Sequence, residues 1–494
     1  MGTVKNSNQM FDNKEEDHPY VDPTPYKLSK NNQILLDIFK TCVIPVVLSI
    51  LYQNDFNQMF DNKEEDHPYV DPTPYKLSKN NQILLDIFKT CVIPVVLSIL
   101  YQNDLISKFG LIIGLLFSFT FFIIFPLIFK YSYKLQRAVL FLTFIQFPGN
   151  LDLGRPDKSG LWATRNFYIY HKDPKRQLNV RLGVWHVLPN HVVKRFAKQL
   201  RVREEILSNI TISEREEKLL QLNDETFNKI EQKFGPDFQV KHDDNGESKK
   251  LFYETILSET KIPVVLYLHG NTASRGTQHR VEMYQTLRAQ GYHVIAFDYR
   301  GFGDSSSLGP SARSVVLDSK VIYEYILEKT KNPILIWGHS LGTGIGTHLI
   351  PELKALKQPR GIVLESPFNN IKDEISEHPF AKAYKYLPWF EFTIVNPMFE
   401  NQLTFDSDER IAEIKLPIMI LHAEDDKVVP FRLGYKLYRT ALKTRPKSFA
   451  PIEFYRFSKS HNYGHRWMCR SPELPGLVNQ FFDKYEEDDK KQYL

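Results

Sequence analysis

Cysteine is scarce in this chain, with three residues among 494. Cys42 and Cys91 occupy equivalent positions of a repeat, which leaves Cys469 as the single thiol of the C-terminal region. A disulfide framework in that region is therefore excluded, and no spacing typical of a metal site occurs. Charge of one sign is not concentrated either, because 63 Lys and Arg are interspersed with 58 Asp and Glu, for a net charge of +5. The composition gives no support for a nucleic-acid partner, a metal or a cofactor.

The amino-terminal region repeats itself, since residues 8–55 and 57–104 are identical letter for letter. Structural repeats diverge and usually come in sets of three or more. We therefore interpret the pair as a recent duplication or an error in the gene model, within a region 1–104. Each copy ends in an apolar stretch, at 34–52 and 83–101. Both stretches contain an acid and a lysine and are poor spanning segments, so partial or interfacial insertion stays open.

One segment, 110–129, reads GLIIGLLFSFTFFIIFPLIF and is free of charge along its whole length. At ~1.5 Å rise per residue it covers ~30 Å, the thickness of a hydrocarbon core. A soluble helix of this length would show a polar stripe, which is absent here. A cleaved signal peptide is not expected, because more than a hundred residues precede the segment. The sequence predicts one transmembrane anchor within 105–137.

Two signals for membrane orientation disagree. Lys130, Lys134 and Arg137 follow the anchor and outnumber the lysines that closely precede it. The positive-inside rule then places the C-terminal side in the cytoplasm. Asn209 opens the sequon Asn-Ile-Thr and is a candidate glycosylation acceptor, which would place the same side in the lumen if it is used.

From 138 to 494, apolar strand-like runs alternate with helical stretches. The runs are NFYIYH, RLGVWHVLP, PVVLYLHG, HVIAFDYRG, ILIWGHS, IVLES, PIMILHAEDD and IEFYRF. Buried strands alternating with helices indicate an α/β protein with a mostly parallel sheet covered on both faces. A charged insert at 191–250 is interpreted as a solvated helix pair. A small cap is predicted at 367–411.

Gly338-His339-Ser340-Leu341-Gly342 follows the run ILIW and opens a helix. This is the G-x-S-x-G motif in the strand-to-helix context of an α/β-hydrolase fold. A serine in that tight turn needs glycine neighbours, and the turn points its hydroxyl out of the sheet. The sequence predicts Ser340 as a nucleophile.

A serine nucleophile needs a base that is oriented by an acid, in the chain order Ser, acid, His. Asp426 is our predicted acid, because it begins the loop after the run PIMILHA, where the fold presents its acid. Asp425 and Glu424 are alternatives that we expect to be solvated or capping. Glu365, at the end of the previous strand, is a weaker alternative.

The base should lie in the loop after the last strand, and both His461 and His465 lie there. The order of residues prefers neither. For the oxyanion hole, the N–H of Leu341 follows the nucleophile directly and is one predicted donor. The N–H of Asn271, in the loop after YLHG, is the other, whereas His269 is expected to brace that loop.

Between the nucleophile and the acid, the cap segment is rich in aromatic residues. They are Phe380, Tyr384, Tyr386, Trp389, Phe390 and Phe392. Such residues could pack a cap helix against the domain. Since a membrane anchor is adjacent, we favour the interpretation that they shelter an acyl chain.

Several segments together resemble one family. YLHGNTASRGTQHRVEMY, GYHVIAFDYRGFGDS, IWGHSLGTG, LESPFNNI, LHAEDDKVVPF and SPELP are similar to the lysophosphatidylserine and monoacylglycerol lipases among the α/β-hydrolase domain-containing proteins. The resemblance runs from about residue 140 to 482. The duplicated amino terminus and the long charged insert depart from the family's pattern.

The resemblance implies the triad Ser340, Asp426 and His465, which selects His465 over His461. It also implies an endoplasmic-reticulum membrane glycoprotein with one span and a lumenal catalytic domain.

These expectations describe a membrane-bound serine hydrolase of single-chain lipid esters. The alternatives are a protein deacylase or peptidase on the same fold, and a lipid-binding membrane protein without turnover. The preferred head group, the acyl chain and the oligomeric state cannot be derived from the sequence.

Overall fold

The computed structural model describes residues 79–492 except 147, 150, 242–245, 379–380 and 382–383. The first copy of the repeat, with its apolar stretch 34–52, lies outside this part, as does the start of the second copy up to residue 78. The chain divides into two compact units, residues 1–88 and 89–494. All the predicted site residues belong to the second unit. The apolar stretch 83–101 forms part of helix α1 (Lys79–Gln102).

Helix α2 (Lys108–Tyr131) contains the predicted span 110–129. The hydroxyl oxygen of Ser107 accepts the N–H of Gly110 at 3.1 Å and caps its beginning. Its middle, Thr120–Ile124, is a π-helical turn. Among the described residues, α2 is the only helix long and apolar enough to cross a membrane, and only 6% of its most apolar stretch is buried in the protein.

Eight strands form one sheet. They are β1 (Thr164–Lys172), β2 (Asn179–Val187), β3 (Val264–Leu268), β4 (His293–Phe297), β5 (Ile334–His339), β6 (Gly361–Glu365), β7 (Ile418–Ala423) and β8 (Ile452–Phe457). Their order is β1-β2-β4-β3-β5-β6-β7-β8. Strand β2 runs antiparallel to both neighbours, and all other pairs are parallel. The eight strand-like runs of the sequence are these eight strands, so the predicted mostly parallel sheet is confirmed.

The other helices surround this sheet. In chain order they are α3 (Tyr133–Phe141), α4 (Asn190–Arg195), α5 (Ala197–Leu200), α6 (Glu204–Ser208), α7 (Glu214–Phe234), α8 (Glu247–Glu259), α9 (Gln278–Arg288), α10 (Ala312–Lys329), α11 (Leu341–Glu352), α12 (Ile371–Glu377), α13 (Asn396–Glu400), α14 (Ser407–Arg410), α15 (Phe431–Thr444) and α16 (Leu474–Gln492). A second π-helical turn, Glu391–Val395, precedes α13.

The central strands β3 to β7 are buried along their whole length, as expected when helices cover both faces. One apolar cluster joins the sheet to α10, α11 and α15, and a second joins it to α9 and α16. Because parallel strands carry their C-terminal ends to one edge, the loops after β3, β5, β7 and β8 meet there. That edge holds the candidate site.

The insert 191–250 differs from the predicted solvated helix pair. It comprises α4 to α7 and the beginning of α8, and it encloses an apolar cluster of its own. Phe227 and Ile230 on α7 are fully buried in that cluster with Phe196 and Phe252. The prediction was wrong because the dense charges of α7 lie on its outer face and obscured the apolar spacing of its inner face.

The cap residues are less uniform than the sequence suggested. Tyr384 and Phe390 are buried, whereas Tyr386 and Phe392 are 57% and 55% exposed. Phe380 lies outside the described residues. The aromatic content of 367–411 therefore serves both the interior and the outer surface of the cap.

Candidate active site

Ser340 stands alone between the end of β5 and the start of α11, with φ 53° and ψ −118°. A positive φ is strained for a residue with a Cβ, and such strain occurs at functional turns. The N–H of Ser340 donates to the carbonyl of Glu365 on β6 at 2.9 Å, which fixes the turn to the sheet. The hydroxyl is thereby held at the N-terminus of a helix, where negative charge is favoured.

The two glycines of the motif are required by this turn. A Cβ on Gly342 would lie 2.0 Å from the carbonyl oxygen of Leu268 at the end of β3. A Cβ on Gly338 would lie 2.5 Å from the carbonyl oxygen of Gly342. Both obstacles are backbone atoms, which cannot rotate away. The spacing G-x-S-x-G thus follows from close packing of the turn against β3 at Gly342 and against the start of α11 at Gly338.

A hydrogen bond joins the side chains of Asp426 and His465. The Nδ1–H of His465 donates to Asp426 Oδ2 at 2.7 Å. The other oxygen, Oδ1, accepts the backbone N–H groups of Val428 and Val429, each at 2.9 Å. The carboxylate is therefore fixed by its own loop and presents one free oxygen to the imidazole. This arrangement holds the imidazole with Nε2 available as a proton acceptor.

The electrostatics of this pair favour an ionised acid. Burial would raise the pKa of Asp426, but His465 and His422 hold it well below its ordinary value. His422 Nε2 lies 3.5 Å from Asp426 Oδ2 and also donates to the carbonyl of Val429 at 3.0 Å. Sequence reasoning passed over His422, although it lies within the strand that precedes the acid.

The two neighbouring acidic residues, Asp425 and Glu424, form hydrogen bonds with the loop after β8 instead of with an imidazole. Asp425 Oδ2 accepts the N–H of Gly464 at 2.9 Å, next to His465. Glu424 Oε2 accepts the N–H of Lys459 at 3.0 Å. Both carboxylates therefore tie the loop after β8 to the loop after β7. Both side chains are part-exposed, and Glu424 accepts the first N–H of the short 3-10 helix Lys459–His461, which agrees with the expected structural, capping role.

Glu365 is buried at the end of β6 and accepts the indole N–H of Trp337 at 2.8 Å. Burial raises its pKa to about 8. The carboxyl group of Glu365 forms its hydrogen bond with the indole of Trp337 inside the sheet. The carboxylate of Asp426, in contrast, forms a hydrogen bond with the imidazole of His465. This geometry separates the two candidate acids.

The two candidate histidines also differ in their surroundings. His461 is exposed and stacks on Tyr463, with ring centroids 5.2 Å apart. His465 instead lies beside the nucleophile turn, where His339 Nε2–H donates to its carbonyl at 2.9 Å. Burial and the neighbouring His465 hold the pKa of His339 well below its ordinary value, so His339 is neutral. Within the described residues no group of His, Cys, Asp or Glu is arranged to hold a metal ion.

The residues of the two predicted oxyanion donors lie next to the turn at Ser340. Leu341 is the first residue of α11, so its N–H has no acceptor within the helix. Asn271 follows Gly270, whose missing Cβ would lie 3.3 Å from the Cβ of Ser340. The side-chain amide of Asn271 donates to the carbonyl of Leu140 at 3.1 Å, which holds this loop beside Ser340. His269 is buried and bonded within the loop, as expected for a brace.

Ser340, Leu341 and Asn271 line a cavity of about 480 Å³. Most other lining residues are apolar and come from three places. They are Phe121, Phe125 and Phe129 of α2; Val139, Leu140, Leu142, Phe144 and Ile145 in and after α3; and Phe368, Ile371, Ile375, Ala381, Tyr384, Ile394, Met398 and Val429, most of them in the cap. The volume is in the range of ~300–1,000 Å³ that is usual for small-molecule sites. The cavity can hold an apolar chain whose reacting end lies at Ser340.

Two polar residues in this cavity were missed by sequence reasoning. Glu374 and His378 lie on and just after α12. Glu374 Oε2 is buried without a hydrogen-bond partner among the described residues. Burial, together with the nearby charges of Asp426 and Glu377, raises the pKa of Glu374 to about 8. No motif marks these residues, because their position depends on how the cap folds over the sheet.

Comparison with known proteins identifies a family. A family model described as serine aminopeptidase, S33, matches residues 260–407. The lysophosphatidylserine lipase ABHD12 of Danio rerio is 36% identical over 358 residues, which cover 72% of this chain and 79% of that protein. The enzyme of the same name from Rattus norvegicus is 34% identical over 371 residues, covering 74% and 79%. Among solved structures, a Pyrococcus furiosus esterase, Pf2001, matches with 17% identity and a TM-score of 0.40, over 67% of this chain and 93% of that one.

The match to the family model includes Ser340, whereas Asp426 and His465 lie beyond its end. The similarity to the two lipases extends over about three quarters of each chain. The α/β-hydrolase fold that the sequence predicted agrees with this result. The chain therefore belongs to the lysophosphatidylserine lipase ABHD12 family, a group of lipid-ester hydrolases with the α/β-hydrolase fold.

Proposed function

We propose that this protein is a membrane-bound serine hydrolase that cleaves the acyl ester of single-chain lipids such as lysophosphatidylserine or monoacylglycerol. The observation that carries the proposal is the apolar cavity that ends at Ser340, next to the hydrogen-bonded pair of Asp426 and His465. The names of the relatives point to the same substrate class.

In this mechanism, Ser340 Oγ attacks the ester carbonyl while Nε2 of His465 takes the hydroxyl proton. Asp426 stabilises the imidazolium that forms. The N–H groups of Leu341 and Asn271 donate to the oxyanion of the tetrahedral intermediate. The C–O bond to the head group then breaks, and His465 returns the proton to the departing alcohol. Water, deprotonated by the same imidazole, hydrolyses the acyl-enzyme and releases the fatty acid.

Fluorophosphonate labelling tests the nucleophile. The wild-type protein in membranes should be labelled and should release fatty acid from lysophosphatidylserine, and Ser340→Ala should lose both signals. Ser258→Ala is a suitable control, because Ser258 is exposed on α8 and remote from the sheet edge. Full labelling of the Ser340→Ala protein would refute the assignment.

A peptidase on the same scaffold is the alternative that the family description raises. A parallel assay on aminoacyl p-nitroanilides separates the two functions. Turnover of the anilides without turnover of lysophospholipids or monoacylglycerols would replace the lipid proposal with the peptidase.

We also propose that α2 anchors the protein as a single span in the endoplasmic-reticulum membrane, with the catalytic unit, residues 138–494, in the lumen. Asn209 supports this side, because it lies exposed after α6 and is accessible to a glycosyltransferase. The basic residues after the anchor favour the opposite side. A mobility shift on glycosidase treatment that Asn209→Gln abolishes would establish the lumenal side. An unmodified Asn209 in the wild-type protein would remove its support.

A further inference from the structure

The membrane-crossing helix takes part in the candidate site. Phe121, Phe125 and Phe129 of α2 line the same cavity as Ser340. They recur at four-residue spacing, so they lie on one face of the helix. Phe129 is buried, while Phe119 and Ile128 are more than half exposed. The helix therefore has one face toward the catalytic unit and another toward its surroundings.

The cap residue Tyr384 packs directly on this face. Its ring centroid lies 5.1 Å from that of Phe121 and 5.8 Å from that of Phe125, in stacked arrangements. Phe122 approaches the same ring edge-on at 6.3 Å. Aromatic contacts of this geometry are worth about 0.5–1.5 kcal/mol each beyond their buried area. The cavity wall is thus a joint product of α2 and the cap.

A backbone contact fixes the register between the two. Pro126 has no N–H, so it cannot donate to the carbonyl of Phe122 one turn earlier. The indole N–H of Trp389 donates to that carbonyl at 2.9 Å. The contact lies within the π-helical turn Thr120–Ile124, a distortion that is frequent at functional sites. The irregularity of the anchor therefore coincides with its contact to the cap.

A second anchorage holds the end of α2. The side-chain amide of Gln136 donates to the carbonyls of Phe129 and Lys130 at 2.8 and 2.9 Å. The amide of Asn401, next to α13, donates in turn to Gln136 Oε1 at 2.7 Å. The ammonium group of Lys130 lies over the ring of Phe392. The second half of α2 is consequently held against the cap rather than tethered by a loose linker.

We propose that α2 forms one wall of an acyl-chain site, through Phe121 and Phe125, so that the chain of a membrane lipid lies between the anchor and the cap with its ester at Ser340. The proposal rests on the proposed function and names the acyl subsite of the same reaction. The occupant is a single long acyl chain, because the wall belongs to a helix whose other face is apolar and exposed, and because the cavity continues from that wall to Ser340. The lipid then reaches Ser340 from the leaflet beside the catalytic unit.

Chain-length selectivity tests the wall with a matched control. The full-length protein in proteoliposomes is assayed on p-nitrophenyl butyrate and p-nitrophenyl palmitate. Phe125→Ala should lower kcat/KM for the palmitate about 10- to 100-fold and leave the butyrate within about threefold, because only the long chain reaches the wall. Phe119→Ala removes the same side chain from the exposed face of α2 and should leave the ratio unchanged. Equal effects of the two variants on the ratio would overturn the proposal.

Hydrolysis of p-nitrophenyl butyrate distinguishes a failure of the acyl-site proposal from a loss of folding or of the chemistry at Ser340. A variant that loses butyrate hydrolysis together with palmitate hydrolysis has lost its fold or its chemistry, and Phe121→Leu then replaces it as the milder test of the wall. If the wild-type protein hydrolyses neither ester and Ser340 resists fluorophosphonates, the proposed function fails. Normal chemistry with an unaltered chain-length ratio overturns the acyl site alone.

Crosslinking supplies an independent readout. An alkyl fluorophosphonate with a diazirine at the end of a long chain would first bond to Ser340 and then be photoactivated. Peptide mapping should place crosslinks within Lys108–Tyr131. Crosslinks found only outside this helix would overturn the proposal.

Discussion

Replacing Asp426 by asparagine tests the hydrogen bond between the predicted acid and the predicted base, which joins Asp426 Oδ2 and His465 Nδ1. In the native structure, Oδ1 accepts two backbone N–H groups and Oδ2 accepts the Nδ1–H of His465. An asparagine must keep its oxygen toward the two N–H groups. The opposite orientation would leave one buried and one partly buried donor facing an NH₂ group, at a cost of at least about 1–3 kcal/mol. The NH₂ group therefore points at His465.

The asparagine changes the tautomer of His465, because its NH₂ group replaces a hydrogen-bond acceptor with a donor. An NH₂ group can only donate, so Nδ1 must become the acceptor and the proton moves to Nε2. A protonated Nε2 cannot take the hydroxyl proton of Ser340. We expect kcat for lysophosphatidylserine to fall about 10³- to 10⁴-fold, which corresponds to about 4–5.5 kcal/mol of transition-state stabilisation. The thermal unfolding midpoint should change little, since the backbone contacts of the loop are kept.

The assay compares Asp426→Asn with Asp425→Asn. Asp425 accepts one backbone N–H from Gly464, and an asparagine oxygen can accept it equally well. Asp425→Asn should therefore retain activity within about threefold. The rate of fluorophosphonate labelling should follow kcat in both variants. If Asp426→Asn keeps more than about a tenth of the activity, or if Asp425→Asn is the inactive variant, the assignment of the acid is refuted.

Three further outcomes can be measured. Gly342→Ala places a Cβ 2.0 Å from the carbonyl oxygen of Leu268 and should abolish activity or folding, whereas Gly476→Ala, with open space around it in helix α16, should not lower the unfolding midpoint. Glu374 has its pKa raised to about 8 by burial, so its charge appears in the cavity above that pH; wild-type kcat/KM should fall as pH rises through 8, and Glu374→Gln should flatten this limb of the pH profile. Burial likewise raises the pKa of Glu365 to about 8, so its contribution to stability is full below pH ~4.5 and is lost as pH rises through 8. That loss is about 5 kcal/mol and accumulates between about pH 4.5 and pH 8, so urea unfolding of Glu365→Gln should show a correspondingly weaker pH dependence across this window.

The local parts of the fold and site were predictable from the sequence. The eight strands follow from apolar runs, and the turn at Ser340 follows from a motif whose glycines are required by close backbone contacts, of Gly342 with β3 and of Gly338 with α11. The preference for Asp426 came from its position after a strand. The choice of His465 over His461 needed the family resemblance, since both occupy the same loop. In the structure they differ because Asp425 and Glu424 fix the loop after β8 and bring only His465 to the acid.

The parts that escaped prediction depend on contacts between distant segments. Glu374 lines the cavity only because α12 folds over the sheet, and no local pattern marks it. The apolar cluster of the insert 191–250 could not be recognised from the sequence, because the many charged residues of α7 obscure the spacing of its buried apolar residues. A hydropathy profile predicts α2 as a span but cannot tell which of its faces meets the cap.

The proposed acyl site would give the anchor a second task. An anchor that only tethers would tolerate replacement by any apolar helix of equal length. Here the bond from Trp389 to the carbonyl of Phe122 and the stacking of Tyr384 on Phe121 and Phe125 require one sequence in one register. We therefore expect a chimaera that carries an unrelated polyleucine span in place of α2 to stay in the membrane and hydrolyse p-nitrophenyl butyrate, yet to lose its preference for long chains. A chimaera with the native preference would show that the span acts as a tether alone.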